Sequence, residues 1–85
     1  MAGTDEALRT LCAELYAGRQ QVLAGRLEGE GLDPGRAGTA AGQVLALLEG
    51  AVLLASVRRG REPLDHARHA VRHLLGAAQD HAGTA

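Results

Sequence analysis

The stretch AGTAAGQVLALLEGAVLLASV, Ala37 to Val57, carries Glu49 as its single formal charge. From Val44 onward valine, leucine and alanine occupy nearly every side of a helical wheel, so no face is left for water. A helix that is apolar all round needs cover on more than one side. The whole chain has 85 residues, and a domain of that size buries only about 60–65% of the surface its unfolded chain exposes. Full enclosure of this helix within one copy is hard to reach. A second copy of the chain is the expected source of the missing cover.

Other residues must therefore pack tightly, not bulkily. Tyr16 is the only aromatic side chain, so the apolar payload that aromatics usually bring falls to leucine, valine and alanine. The formal net charge of -1 gives no overall bias toward nucleic acid or membrane, although the segment before Gly31 leans acidic and Arg58 to Arg72 leans basic. Cys12 is the only cysteine, which excludes an intrachain disulfide and points to a reducing, cytoplasmic setting. The N-terminus has no basic segment followed by an apolar run, so no secretory signal is read there. Every one of the nine basic residues is arginine, a bias that reflects coding composition more than arginine chemistry.

Periodicity predicts three helices, over about 4–28, 34–59 and 63–79, with a disordered tail over 80–85. In the first, Thr4 is the expected N-cap, with Asp5 and Glu6 at the positive end of the helix dipole. Leu8, Leu11, Cys12, Leu15, Val22, Leu23 and Leu27 recur at three- and four-residue intervals and form one expected core stripe. Gly29 or Gly31 ends that helix, and Asp33 with Pro34 supplies the N-cap and first-turn proline of the next. So short a link favours antiparallel neighbours in a single all-α domain. The third helix has Leu64, Ala67, Val71, Leu74 and Ala78 on its apolar side and Asp65, His66, Arg68, His69, Arg72 and His73 on the other.

Within the central helix Gly38, Gly42, Ala46 and Gly50 lie four residues apart, which aligns a nearly bare strip of backbone that another helix could approach closely. Beside it Val44, Leu48, Ala51 and Ala55 make a heptad-like seam, with Leu47 and Leu54 on a further side. One face serves the chain's own helices and one serves a partner. The residues expected in helix packing or a dimer interface are Gly42, Ala46, Gly50, Val44, Leu48, Ala51, Leu54, Ala55, Leu64, Val71 and Leu74. A membrane span is not expected, because Glu49 near the centre costs about 2.5–3.5 kcal/mol on insertion and the many Gly, Ala, Thr and Gln residues insert weakly.

Chemistry is thinly supplied. His66, His69 and His73 share one helical face, the geometry a zinc or nickel site requires. Arg68 and Arg72 border that face and would repel a dication, so a solvated polar face is the expectation and no metal is assigned. Glu49 either pairs with an arginine, Arg72 being a candidate, or contacts a ligand. Cys12, on the apolar stripe, reads as a small core residue. Arg58, Arg59 and Arg61 at a helix end give only a weak signal for phosphate. No Ser, His and Asp set, paired carboxylates or phosphate-binding glycine loop is present, so neither catalysis nor a cofactor is expected.

The succession from Gly31 to Leu75 resembles the C-terminal region of TetR-type transcriptional regulators, closest to the LmrA/YxaF-like C-terminal domain. The resemblance rests on Gly31, Leu32, Asp33, Pro34 and Ala37, then Glu49, Gly50, Ala51, Leu53, Leu54 and Ala55, then Pro63 and Leu64. It implies an all-helical dimerisation and effector-binding domain whose last two long helices pair with those of a second subunit, either a homodimer or a heterodimer with an intact relative, with a small-molecule effector as a further partner. Met1 is followed almost directly by the first of these helices, so a truncated regulator without its own helix-turn-helix, making no direct DNA contact, is the expectation. A small helical ligand- or metal-binding module, or a stand-alone helical interaction protein, is the alternative.

Overall fold

A computed structural model describes residues 2–83, with side chains over 3–79. Three helices and no strand are found among the described residues: α1 spans Ala2–Gly29, α2 spans Pro34–Arg58 and α3 spans Glu62–Gly83. The all-α architecture follows from the three periodic segments and their turns. α3 runs past Gln79, correcting the expected tail, because Ala77, Ala78 and Gln79 are good helix formers and nothing before Gly83 stops them. Thr84 and Ala85, the rest of that tail, lie outside the described residues. α1 also begins before Thr4, which sits inside the helix and does not cap it.

The α1 to α2 turn is built by three local rules at once. Gly31, at φ 106, takes the left-handed position. The Leu32 N–H donates to the Leu27 carbonyl at 3.2 Å and the Gly31 N–H to the Glu28 carbonyl at 3.0 Å, the pair of bonds that closes a Schellman cap. Its accompanying apolar contact is also present, since Leu27 and Leu32 are both buried in one cluster. Two residues on, the Asp33 carboxylate accepts from the Arg36 N–H at 2.9 Å, with Pro34 opening the helix. The α2 to α3 turn is less well matched. There the left-handed residue is Arg59, at φ 54 and ψ 47, while Gly60, the expected stop, follows it and donates to the Ala55 carbonyl at 3.2 Å.

α2 packs against both α1 and α3, and those two make no close approach to one another among the described residues. The result is a shallow, bent layer measuring 52 × 31 × 14 Å, not a closed bundle. Its radius of gyration is 15.3 Å, against about 12 Å for a compact domain of this length. The accessible surface is 6295 Å², whereas a compact monomer of 8.8 kDa exposes roughly 4,800 Å². About 1,500 Å² is thus exposed beyond what a self-contained domain leaves in water.

The core lies at one end. Leu27, Leu32, Ala37, Ala40 and Ala41 form it, and Leu23, Ala24, Leu74, Leu75 and Ala78 pack on them from α1 and α3. Small alanines on α2 let both neighbours come close. Toward the other end α1 separates from α2, while Ala51 of α2 and Ala67 of α3 stay buried. Every described side chain from Gly3 to Leu15 is exposed, including Arg9, Cys12 and Ala13, which share the helical direction of Tyr16 and Gln20. α1 therefore leaves α2 beyond Tyr16, and the expected single stripe divides: Leu23 and Leu27 pack, while Leu8, Leu11, Leu15 and Val22 are 52–63% exposed. Cys12 is exposed as well, correcting its reading as a core residue.

Candidate assembly surfaces

The surfaces of interest are the two sides of α2 left open by this layer. Helical register assigns them. On the α1 side, the Gln20 amide donates to the Gly38 carbonyl at 3.1 Å and the Tyr16 hydroxyl to the Gly42 carbonyl at 3.3 Å. A Cβ at Gly42 would meet the Gln20 side chain at 3.1 Å. The first half of the bare strip is thus used inside the chain. Tyr16 and Gln20 were not legible as functional from sequence, although their four-residue spacing matches that of the two glycines.

On the α3 side, Val44 and Ala51 of the heptad-like seam are buried, with Ala55 partly so, and Leu74 packs on the core. These are intrachain contacts. The second half of the strip is different. Ala46 and Gly50, with Leu47 and Leu54, line an open groove whose other wall is Pro63, His66, Ala67 and Ala70 of α3. Nothing lies within 4 Å of a Cβ built at Gly50. Leu53, Leu54 and Val57 beside it are 50–71% exposed. We call this the outer face.

The opposite, inner face lies between the directions from which α1 and α3 approach, as the complete burial of Ala41 marks. Leu48, Leu64 and Val71 form its trough with Arg61, Asp65, Arg68 and Arg72 along the edge, and Leu45 and Val52 continue it toward Arg19. Leu48 and Leu64, both expected at an interface, thus face the other way from Gly50 and Leu54. The expected interface residues do not form one surface; α2 distributes them among its two neighbours and two open faces.

The candidate chemistry does not assemble into a site. Glu49 is exposed and lies 3.9 Å from Arg19 of α1, not beside Arg72, because it points to the α1 edge of α2. His66 approaches Glu62 at 3.3 Å on an exposed stretch of α3. Among the described residues no group of three or more His, Cys, Asp or Glu side chains is placed to hold a metal ion. The four other ion pairs also join exposed groups, and no buried side-chain polar atom lacks a partner among those described.

The described residues thus form an all-helical layer whose largest features are apolar faces, with carboxylates and histidines dispersed over its edges. It is of the helical regulatory-domain class, a non-enzymatic kind. The chain belongs to the family of LmrA/YxaF-like C-terminal domains of TetR-type transcriptional regulators, whose model matches residues 1–70. No curated protein and no solved structure matches it.

Proposed function

We propose that this chain is the dimerisation module of a TetR-type regulator and that the outer face of α2 and α3 joins the same face of a second chain. The observation that carries the reading is the exposed surface in excess of a compact monomer, about 1,500 Å², with Gly50 open at the middle of an apolar face. A standard interface hides about 800 Å² per partner. The outer face offers a self-complementary patch of that kind, in which the bare backbone at Ala46 and Gly50 admits the leucines of the other copy. The partner is a second copy or an intact relative with the same face.

Cover by protein is preferred to cover by lipid. α2 is long and apolar enough by length and composition to cross a bilayer, and only 22% of its most apolar segment is buried in the chain. However, α1 packs on one side of its first half and α3 on the other side, and Glu49 near its centre is charged and approaches Arg19 of α1. The reading places the protein in the cytoplasm and assigns these residues to assembly, with operator contact lying elsewhere in the regulator. The grooves described are open to solvent, so an effector would be enclosed only once a second surface covers one of them.

Gly50→Leu tests the reading by sedimentation at micromolar concentration. Within the chain the new side chain meets open space, and losing a mid-helix glycine favours the helix by up to about 1 kcal/mol. Helicity by circular dichroism is therefore expected to hold while the dimer gives way to monomer. A dimer unchanged by Gly50→Leu would remove the outer face as the interface, and a folded wild-type monomer would end the dimer reading.

A further inference from the structure

The first half of α1 and the inner trough are complementary, and neither is satisfied within one chain. Leu8, Leu11 and Leu15 share one side of the arm at helical spacing and are 52–56% exposed. Register places Asp5 on one flank of that stripe and Glu14 on the other. Arg9 approaches Glu6, on the back of the arm, at 3.6 Å; among the described residues no cation lies within ion-pair distance of Asp5 or Glu14. The trough presents the converse. Its floor is Leu48, Leu64 and Val71, and its edge carries Arg61, Arg68 and Arg72. Of these, Arg68 is 3.8 Å from Asp65, while Arg61 and Arg72 face no carboxylate within that range among the described residues.

An arm cannot fill the trough of its own chain, because α1 and α3 do not approach one another. The lengths agree between chains: the stripe from Leu8 to Leu15 runs about 12 Å along its helix, and the floor from Leu64 to Val71 also about 12 Å. Area points the same way. One standard interface on the outer face would hide about 800 Å² of each chain, leaving roughly half of the excess surface still in water. A second, separate contact is needed for the rest.

We infer that the α1 arm of one copy docks in the inner trough of another, with Leu8, Leu11 and Leu15 on Leu48, Leu64 and Val71, and the Asp5 flank, which also carries Cys12, against the edge of Arg61 and Arg72. This contact lies on the opposite side of α2 from the outer-face pairing and does not depend on it. Together the two contacts would make a closed tetramer, and the arm contact alone a reciprocal dimer.

Cys12, exposed on the arm beside the stripe, provides the probe. Wild-type chain, with Cys12 as its only thiol, is mixed with a Cys12→Ser/Asp65→Cys variant, which leaves the arginine edge intact, and oxidised with diamide. A mixed disulfide, identified by mass, is expected at least tenfold faster than with a Cys12→Ser/His69→Cys control on the exposed far edge of α3. Placing Asp5→Arg on the Cys12 chain should slow it at least fivefold, and Arg61→Glu with Arg72→Glu on the other chain should restore it. Circular dichroism of each variant separates lost docking from lost fold. A mixed disulfide no faster than the control would overturn arm docking, and if sedimentation still showed a dimer sensitive to Gly50→Leu, the outer-face reading would stand without it. Charge reversal that slowed crosslinking without rescue would overturn the assigned ion pairs.

Discussion

The end of the molecule around the α1 to α2 turn and the end around the α2 to α3 turn are made from similar residues and reach opposite outcomes. At the first, Leu27 and Leu32 sit at 8% and 3% exposure over three buried alanines. At the second, Leu53, Leu54 and Val57 are half exposed or more, and α1 has already departed. The difference is one of supply. At the closed end a glycine-capped turn folds α1 back on α2 while the last turns of α3 arrive from the other side, so small residues on α2 meet large ones from two helices. At the open end α2 meets only α3, and the leucines that could have covered it, Leu8 and Leu11, lie on the far side of a helix that has splayed away. Hydrophobicity alone does not bury a residue; a neighbour must be in place to cover it.

The largest test of this contrast is a pair of truncations. Leu32→Ala removes a side chain enclosed by the closed end, and a loss of about 2–3 kcal/mol is expected from lost transfer energy and the cavity left behind. In a domain this small, about 1 kcal/mol moves the melting temperature by roughly 4–8 °C, so the variant should melt roughly 8–24 °C lower. Leu53→Ala removes the same atoms from a position 64% exposed and should cost well under about 1 kcal/mol in dilute protein. Its effect should instead grow with protein concentration, as stability shared with a partner does. Thermal melts at two concentrations decide it: equal losses at both positions would mean that the two ends are not differently packed.

Much of this arrangement was legible in the sequence because it rests on local rules. Asp33 and Pro34 cap and open α2 as read, and of the two glycines offered as the stop of α1, Gly31 takes the left-handed position. The positions of α2 and α3 followed from a three-to-four residue period that leaves little choice. The partition of surfaces was less legible, because it depends on the angle at which helices cross. A wheel drawn on α1 cannot show that it diverges beyond Tyr16, so Cys12 and Leu15 looked as much like core as Leu27 did. Likewise the run of small residues from Gly38 to Gly50 is continuous in sequence, yet its register turns from α1 to open solvent within that span. Glu49 illustrates the same limit, since which arginine it meets is decided by side-chain reach across the α1 and α2 crossing.

The two turns extend the comparison at an intermediate magnitude. Gly31 occupies its left-handed position without strain, and Gly31→Ala is expected to destabilise by about 1–2 kcal/mol, the cost of placing a Cβ there. Arg59 already bears that cost at φ 54. Arg59→Gly should therefore recover up to about 1 kcal/mol, less the entropy a glycine adds to the unfolded chain. Urea midpoints with unchanged slope would register both shifts. A destabilising Arg59→Gly would mean that the arginine makes a compensating contact in the assembled protein, placing the open-end turn at an interface.

The smallest effect belongs to the ion pair at the point where the ends divide. Arg19 and Glu49 are 70% and 56% exposed and their nearest atoms are 3.9 Å apart, so water screens most of the attraction. An exposed pair of this geometry contributes about 0–0.5 kcal/mol, and Arg19→Ala should shift the urea midpoint by little more than experimental error. Raising salt from 0.1 to 1 M, where the screening length falls from about 10 to 3 Å, should leave even that small difference undetectable. If assembly instead covered the Leu45, Leu48 and Val52 surface beside this pair, water would be excluded from it and Arg19→Ala would weaken association while leaving the dilute monomer untouched. A loss seen only in the associated form would mark the inner face as buried in the assembly. An equal and small loss in both would show that it remains in water, and the arm would have to be sought in solvent with it.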